Sequence, residues 1–112
     1  MAITPAVLTK VTQLGTVAAT MATGAPLGRS VVTRAVVSNV STLASTFSIW
    51  IVPSGTTAVP TNLVIDNRTV AVAPATDLVP ELAGAVLNAG DIIQASSGTA
   101  ATLNFFASGY NV

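Results

Sequence analysis

Residues 43–52 read LASTFSIWIV, and residues 53–55, which follow, read PSG. Large apolar side chains alternate along the first segment, and a period of two is typical of a β-strand with one buried face. Pro, Ser and Gly favour turns, so the strand is expected to end there. The residues predicted to face the core are Leu43, Phe47, Ile49 and Ile51. Trp50 is expected on the opposite side of the strand, among hydroxyl-bearing side chains.

Short apolar runs of the same kind recur along the chain between clusters of Gly, Pro, Asn and Ser, which is the pattern of an all-β protein. The predicted strands are 6–13, 16–22, 29–40, 43–53, 62–73, 77–82, 91–96 and 101–112. A helical turn within 81–88 stays open as an alternative, although Pro80 and Gly84 disfavour a long helix. About eight strands at regular spacing, in a chain of 112 residues, predict a single sandwich or barrel domain spanning 1–112.

Two further strands have predicted faces. In the last strand Leu103, Phe105 and Ala107 are expected to point inward, and Asn104, Phe106, Ser108 and Tyr110 outward. In 31–40 both faces are apolar, with Val32, Val36 and Val40 on one and Val31, Ala35 and Val37 on the other. This pattern predicts a strand that is buried on both sides.

The outward aromatic residues are the first candidates for a functional surface. Trp50, Phe106 and Tyr110 are predicted to form an exposed aromatic cluster, of the kind that is enriched at protein interfaces. Two structural alternatives remain open: a second small core beneath the loop 24–28, or a Trp that lies on a neighbouring strand of its own sheet.

The candidate interface also includes Asp66 and Arg68. Because they are two residues apart on a predicted strand, they are expected to share a face and to form a surface ion pair. Such a pair contributes under about 1 kcal/mol, so a structural role or a place at the rim of an interface is favoured over a catalytic one.

The composition argues against chemistry. The chain has no His and no Cys, and only 7% of its residues are charged. Most enzyme mechanisms need a group that titrates near neutral pH or a bound metal. We therefore expect no enzyme activity, no catalytic residue, no metal site and no cofactor. The charged residues form no basic patch for nucleic acid, and no apolar run reaches the roughly 18 residues of a membrane-spanning helix.

The scarcity of charge has a second consequence. Soluble monomers usually carry about 25% charged residues, so part of this surface is expected to be covered in the working state. The sequence therefore favours a homo-oligomer, a dimer or a trimer, or docking on a larger partner. Residues 1–10 are either an N-terminal arm that reaches a neighbouring subunit or the first strand of the chain's own sandwich.

Four segments from about Ser30 onward carry a resemblance to a known family. They are VVTRAVVSN (31–39), FSIWIVPSG (47–55), LNAGDIIQA (87–95) and LNFFASGY (103–110). In their order and spacing the chain resembles a family of small phage virion proteins with a jelly-roll-like β-sandwich fold. The resemblance covers roughly three-quarters of the chain and implies a jelly-roll-like sandwich of about eight antiparallel strands.

The resemblance also implies a function. Such a protein is a capsid decoration, or cement, protein on the outer surface of the virion, where it clamps neighbouring subunits of the major capsid protein. The family carries no catalytic residues, so the resemblance assigns none here. The alternative is a module of a head or tail fibre that binds a host receptor or glycan, or that provides an oligomeric attachment.

Overall fold

The computed structural model describes residues 3–26, 28–72 and 75–112, and the regular secondary structure within them is β-strand apart from two short 3₁₀ turns. The strands are β1 (Thr4–Gln13), β2 (Ala19–Thr23), β3 (Arg29–Asn39), β4 (Ser45–Val52), β5 (Leu63–Val70), β6 (Ala75–Leu78), β7 (Val86–Asn88), β8 (Ile92–Ser97) and β9 (Leu103–Asn111). Short 3₁₀ turns lie at Pro60–Asn62 and Pro80–Leu82.

The strands form two antiparallel sheets. One has the order β1-β9-β3, and β6 and β7 lie end to end along the other edge of β3. The second has the order β2-β8-β4-β5. The pairing is nested, because β1 pairs with β9, β2 with β8, β3 with β6 and β7, and β4 with β5. A nested ribbon of this kind, wrapped into two packed sheets, is a jelly roll. The predicted fold class is confirmed.

The core lies between the two sheets. Phe47 and Ile49 of β4 belong to the same buried cluster as Phe105 and Ala107 of β9. The predicted inward faces of these two strands are therefore confirmed at their centres. Leu43 was wrongly assigned to the core: its side chain is 70% exposed, because β4 begins only at Ser45 and residue 43 lies in the preceding turn.

Strand β3 has one buried face, and the prediction that both of its faces are buried is wrong. Val32 pairs with Gly109 and Arg34 with Ser108, so Thr33 is an extra, bulged residue. A bulge reverses the alternation that follows it. The buried residues are accordingly even-numbered before Thr33 and odd-numbered after it: Ser30, Val32, Ala35, Val37 and Asn39. In the sequence, this reversal made both faces look apolar.

The edge beside β3 is interrupted. The segment predicted as a strand over 77–82 and as a possible helical turn over 81–88 is instead β6, the 3₁₀ turn Pro80–Leu82 and then β7. Pro80 has no N–H to donate to β3, so it favours a break in the ladder. On either side of the break a backbone hydrogen bond persists. The amide of Val79 donates to the carbonyl of Ala35, and the amide of Val32 donates to the carbonyl of Ala85.

Most of the N-terminal segment belongs to the sandwich. Residues Thr4–Gln13 form β1, which pairs with β9 from Thr4 opposite Asn111 to Gln13 opposite Asn104. Of the two interpretations of 1–10, residues 4–10 thus adopt the first strand of the chain's own sheet. Residues 1 and 2 of the proposed arm lie outside the described residues.

Close packing of β9 against its neighbours yields a first prediction. A Cβ atom on Gly109 would overlap the backbone carbonyl oxygen of Val31, whereas one on Gly15 would meet nothing within 4 Å. A backbone atom in a central strand cannot move aside cheaply. Gly109→Ala is expected to lower the free energy of unfolding by about 2–3 kcal/mol. Gly15→Ala is the control, with a change within about 0.5 kcal/mol. Urea denaturation of both variants measures the difference, and similar midpoints would contradict the predicted clash.

Candidate interaction surface

The outer face of the five-stranded sheet carries a row of apolar side chains that crosses the whole sheet. Pro5 of β1 lies opposite Tyr110 of β9, Tyr110 opposite Val31 of β3, and Val31 opposite Val86 of β7. Residues directly opposite in antiparallel strands have their side chains on the same face. Four neighbouring strands therefore present one continuous apolar row.

A second apolar row runs beside the first. Phe106 of β9 lies opposite Val36 of β3, which lies opposite Leu78 of β6. Between the two rows Ser108 is opposite both Val7 and Arg34. We call this surface the apolar face and define it by Pro5, Val7, Val31, Val36, Leu78, Val86, Phe106 and Tyr110.

The apolar face has a polar border at one end. Gln13, Asn104, Ser38 and Thr76 form the next row, which crosses β1, β9, β3 and β6. An apolar centre with a polar rim is the usual anatomy of a protein–protein contact surface.

Much of the apolar face is open to solvent. Val7 is 61% exposed, Leu78 57% and Val86 47%, while Phe106 and Tyr110 are half-buried. With strands about 4.8 Å apart and roughly 3.3 Å per residue, four strands by five residues cover on the order of 300 Å². The largest apolar patch on a typical soluble monomer covers about 300–600 Å² and is often functional, so the two rows together lie at the lower end of that range.

The sheet edges, in contrast, are poor places for another strand to add. Strand β1 contains Pro5, which lacks an N–H, and two register shifts interrupt its pairing with β9. Strand β2 has five residues. Strand β5 has register shifts of its own and a positive φ of 48° at Asn67. The edge formed by β6 and β7 is broken at Pro80. The described edges thus favour contact through a face over strand addition.

The predicted aromatic cluster does not form. Trp50 lies in the four-stranded sheet, opposite Gln94 of β8 and Leu63 of β5. Phe106 and Tyr110 lie on the outer face of the five-stranded sheet. Because the sheets pack through their inner faces, these outer faces are on opposite sides of the molecule. Trp50 therefore lies apart from the other two aromatic residues. Phe106 and Tyr110 remain together on the apolar face, one in each apolar row.

The structure also gives Arg68 an ion-pair partner other than the predicted Asp66. Phe47 pairs with Arg68 and Ile49 with Ile65, so β5 carries an extra residue in this stretch and the simple alternation fails. Arg68 forms a two-point ion pair with Glu81 of the 3₁₀ turn, with 3.1 Å between Nη1 and Oε1. Its guanidinium also lies 6.0 Å from the centroid of the Phe47 ring. Asp66 is exposed beside it.

Arg68 consequently makes its contacts within the sandwich. It connects β5 of one sheet to the turn between β6 and β7 of the other and covers the buried Phe47. A bidentate guanidinium–carboxylate pair fixes geometry better than a single contact. Neither Arg68 nor Asp66 belongs to the apolar face.

A groove adjoins the apolar face at the break between β6 and β7. It has a volume of about 300 Å³, is open to solvent and is lined by Thr33, Arg34, Ala35, Leu78, Val79, Pro80 and Ala83. The bulge in β3 places Arg34 on the outer face opposite Ser108, with its side chain exposed. In the described part of the chain, no ion pair is found for Arg34.

Sequence reasoning missed Arg34, Leu78 and Val86 as parts of this surface. Leu78 and Val86 lie on two short strands that join the face only through their pairing with β3. The adjacent polar residues Thr33 and Arg34, within an otherwise apolar strand, were a usable signal. Two successive outward residues are what a bulge produces.

Other classes of site find no support in the described residues. Among them there is no group of three or more His, Cys, Asp or Glu side chains placed to hold a metal ion. None of the helical segments within those residues is long and apolar enough to cross a membrane. Comparison of the chain with protein-family profiles, with curated proteins and with solved structures gives no match.

Proposed function

We propose that this chain is a capsid decoration protein of a phage, which binds the outer surface of the major capsid protein shell and stabilises it by bridging neighbouring subunits. The observation that carries the proposal is the apolar face. It has an apolar centre and a polar border at one end, and the chain's composition suits contact better than chemistry.

The size of the apolar face is consistent with a repeating partner. Its footprint, on the order of 300 Å², is less than half of the roughly 800 Å² that each partner buries in a standard stable complex. One such contact holds weakly by itself. A shell offers many equivalent sites, and contact with two neighbouring subunits raises the overall affinity through multivalency. The four basic and four acidic residues of the chain give zero net charge, so copies crowded on a lattice repel each other little.

Cosedimentation with empty shells of the same phage's major capsid protein tests the proposal. The wild-type protein is expected to saturate the shell at a fixed copy number and to raise the shell's melting temperature. Leu78→Ser on the apolar face should weaken binding by about tenfold or more. Leu43→Ser is the matched control, because Leu43 is 70% exposed but lies in a turn outside the face.

Two outcomes would contradict the proposal. One is failure of the wild-type protein to bind shells. The other is an equal effect of the two serine substitutions, which would mean that apolar exposure in general, and not this face, determines binding.

The fibre module remains the second candidate, and one observation favours it. Trp50 lies half-buried on the outer face of the four-stranded sheet, in a row with Gln94 and Thr20. An aromatic ring beside an amide and a hydroxyl suits sugar binding. Glycan-array binding that Trp50→Ser abolishes and Leu78→Ser leaves intact would support that function instead.

A further inference from the structure

We propose that Arg34 and the groove beside it are the anchor of the apolar face, and that the partner surface presents an Asp or Glu carboxylate to Arg34 next to an apolar side chain that fills the groove. This inference rests on the proposed function, since it states which chemistry the partner surface must have.

Arg34 lies between the two apolar rows, in register with Ser108. Any partner that covers both rows also covers this guanidinium. Burying a charged group without a partner is costly, and the structure shows Arg34 no ion pair among the described side chains. The occupant of the face must therefore supply acceptors, and a carboxylate matches the fork of guanidinium N–H donors better than any other protein group.

The groove opens where β6 and β7 are separated by the 3₁₀ turn, and its floor and walls include Leu78, Val79, Pro80 and Ala83 next to Arg34. Apart from Thr33 and Arg34, all of its lining residues are apolar. An apolar side chain from the partner is the natural occupant, because well-packed pockets that exclude water hold the energetically dominant residues of interfaces. Charge and shape together select a short acidic and apolar element.

A second copy of the chain does not suit the apolar face. A symmetric dimer presents the same patch from both subunits. With a two-fold axis near the centre of the face, the two Arg34 side chains would meet at the axis, and two buried like charges repel. If the two-fold axis lies away from Arg34, the two copies cover only part of each other's apolar face, whose area is already small. The apolar face therefore fits a different polypeptide.

The experiment measures binding of full-length variants to shells of the major capsid protein. Arg34→Glu is expected to weaken binding by about 30-fold or more, and Arg34→Gln by about 10-fold, since reversal adds repulsion to the loss of the pair. Arg29→Glu is the matched control: Arg29 is an exposed arginine of the same strand, opposite Asn88, at the end of the sheet beyond the apolar rows. It should change binding less than about threefold. Thermal melting confirms that each variant folds.

Cross-linking identifies the partner element. Because the chain has no Cys, Ala83→Cys introduces a single thiol at the wall of the groove, which can carry a photoactivatable cross-linker. On shells, the cross-linked peptide is expected to come from the major capsid protein and to contain an Asp or Glu within about two residues of a large apolar residue.

The outcomes separate this inference from the proposed function. Loss of binding in Leu78→Ser with full binding in Arg34→Glu would overturn the pairing of Arg34 with a partner carboxylate and leave shell binding intact. A cross-link to a second copy of this chain would overturn the choice of partner. If the wild-type protein fails to bind shells at all, the proposed function fails and the anchor with it.

Discussion

Phe105→Ala is expected to lower the free energy of unfolding by about 3–5 kcal/mol, while Phe106→Ala, one residue further along the same strand, should lower it by only about 1 kcal/mol. Phe105 is fully buried between the sheets. Its truncation removes a large apolar side chain from water-free packing and leaves a cavity that the surrounding strands cannot close. Phe106 points to the opposite side, where it is half-buried against Val36.

Urea denaturation of both variants measures the loss of unfolding free energy in each. An unchanged slope of that free energy against urea concentration checks that unfolding is two-state. The pair is a close internal control, because composition, strand and substitution are the same. Shell binding supplies the complementary readout. Phe106→Ala should fold and bind weakly, whereas Phe105→Ala should lose stability first. Equal losses of stability would show that the outer side of β9 is also covered within the monomer.

The second large effect is expected at Asn39. This residue is 3% exposed, and its side-chain amide donates to the carbonyls of Leu43 and Ala71 at 2.8 and 2.9 Å. A longer contact of 3.4 Å reaches the carbonyl of Val70. Its side-chain oxygen accepts from the amide and from the hydroxyl of Ser41, both at 2.8 Å. One side chain thus joins the turn between β3 and β4 to the end of β5.

Asn39→Ala should lower the free energy of unfolding by about 2–4 kcal/mol, because several backbone groups lose their partner in a site with little access to water. Asn39→Asp should cost at least as much, since a carboxylate cannot donate and would face carbonyl oxygens. Asn104→Ala is the control: Asn104 is half-exposed on the polar row of the outer face, and a change within about 0.5 kcal/mol is expected. A small effect of Asn39→Ala, measured by urea denaturation, would mean that water replaces the amide.

The accuracy of the sequence predictions followed the range of the interactions involved. In β9 the alternation of Leu103, Phe105 and Ala107 runs without interruption, and the predicted inward face is the observed one. In β3 the same reasoning failed at Thr33, because a bulge depends on how the strand pairs with β9 and leaves only a weak trace in composition. The strand boundaries agree within a few residues wherever the flanking turns carry Gly, Pro or Ser.

The candidate site shows the same limit more clearly. Phe106 and Tyr110 were correctly placed on an outward face, since that follows from alternation alone. Whether Trp50 joins them depends on the sheet to which each strand belongs. The sequence around residue 50 does not determine this, because sheet membership is set by long-range strand pairing. The partner of Arg68 was missed for the same reason: Glu81 lies 13 residues away and approaches only when the turn between β6 and β7 closes over the edge of β5.

Composition and local periodicity, taken alone, determined that this chain is all-β and that it has few charged side chains and neither His nor Cys. Those properties depend on side-chain type and on the two-residue repeat of a strand, both of which can be read along the chain. The tertiary structure alone decided that apolar residues of five strands form one face around Arg34. Such a face exists only after long-range pairing sets the register of β1, β9, β3, β6 and β7, and register is a property of strand pairs that no single strand carries.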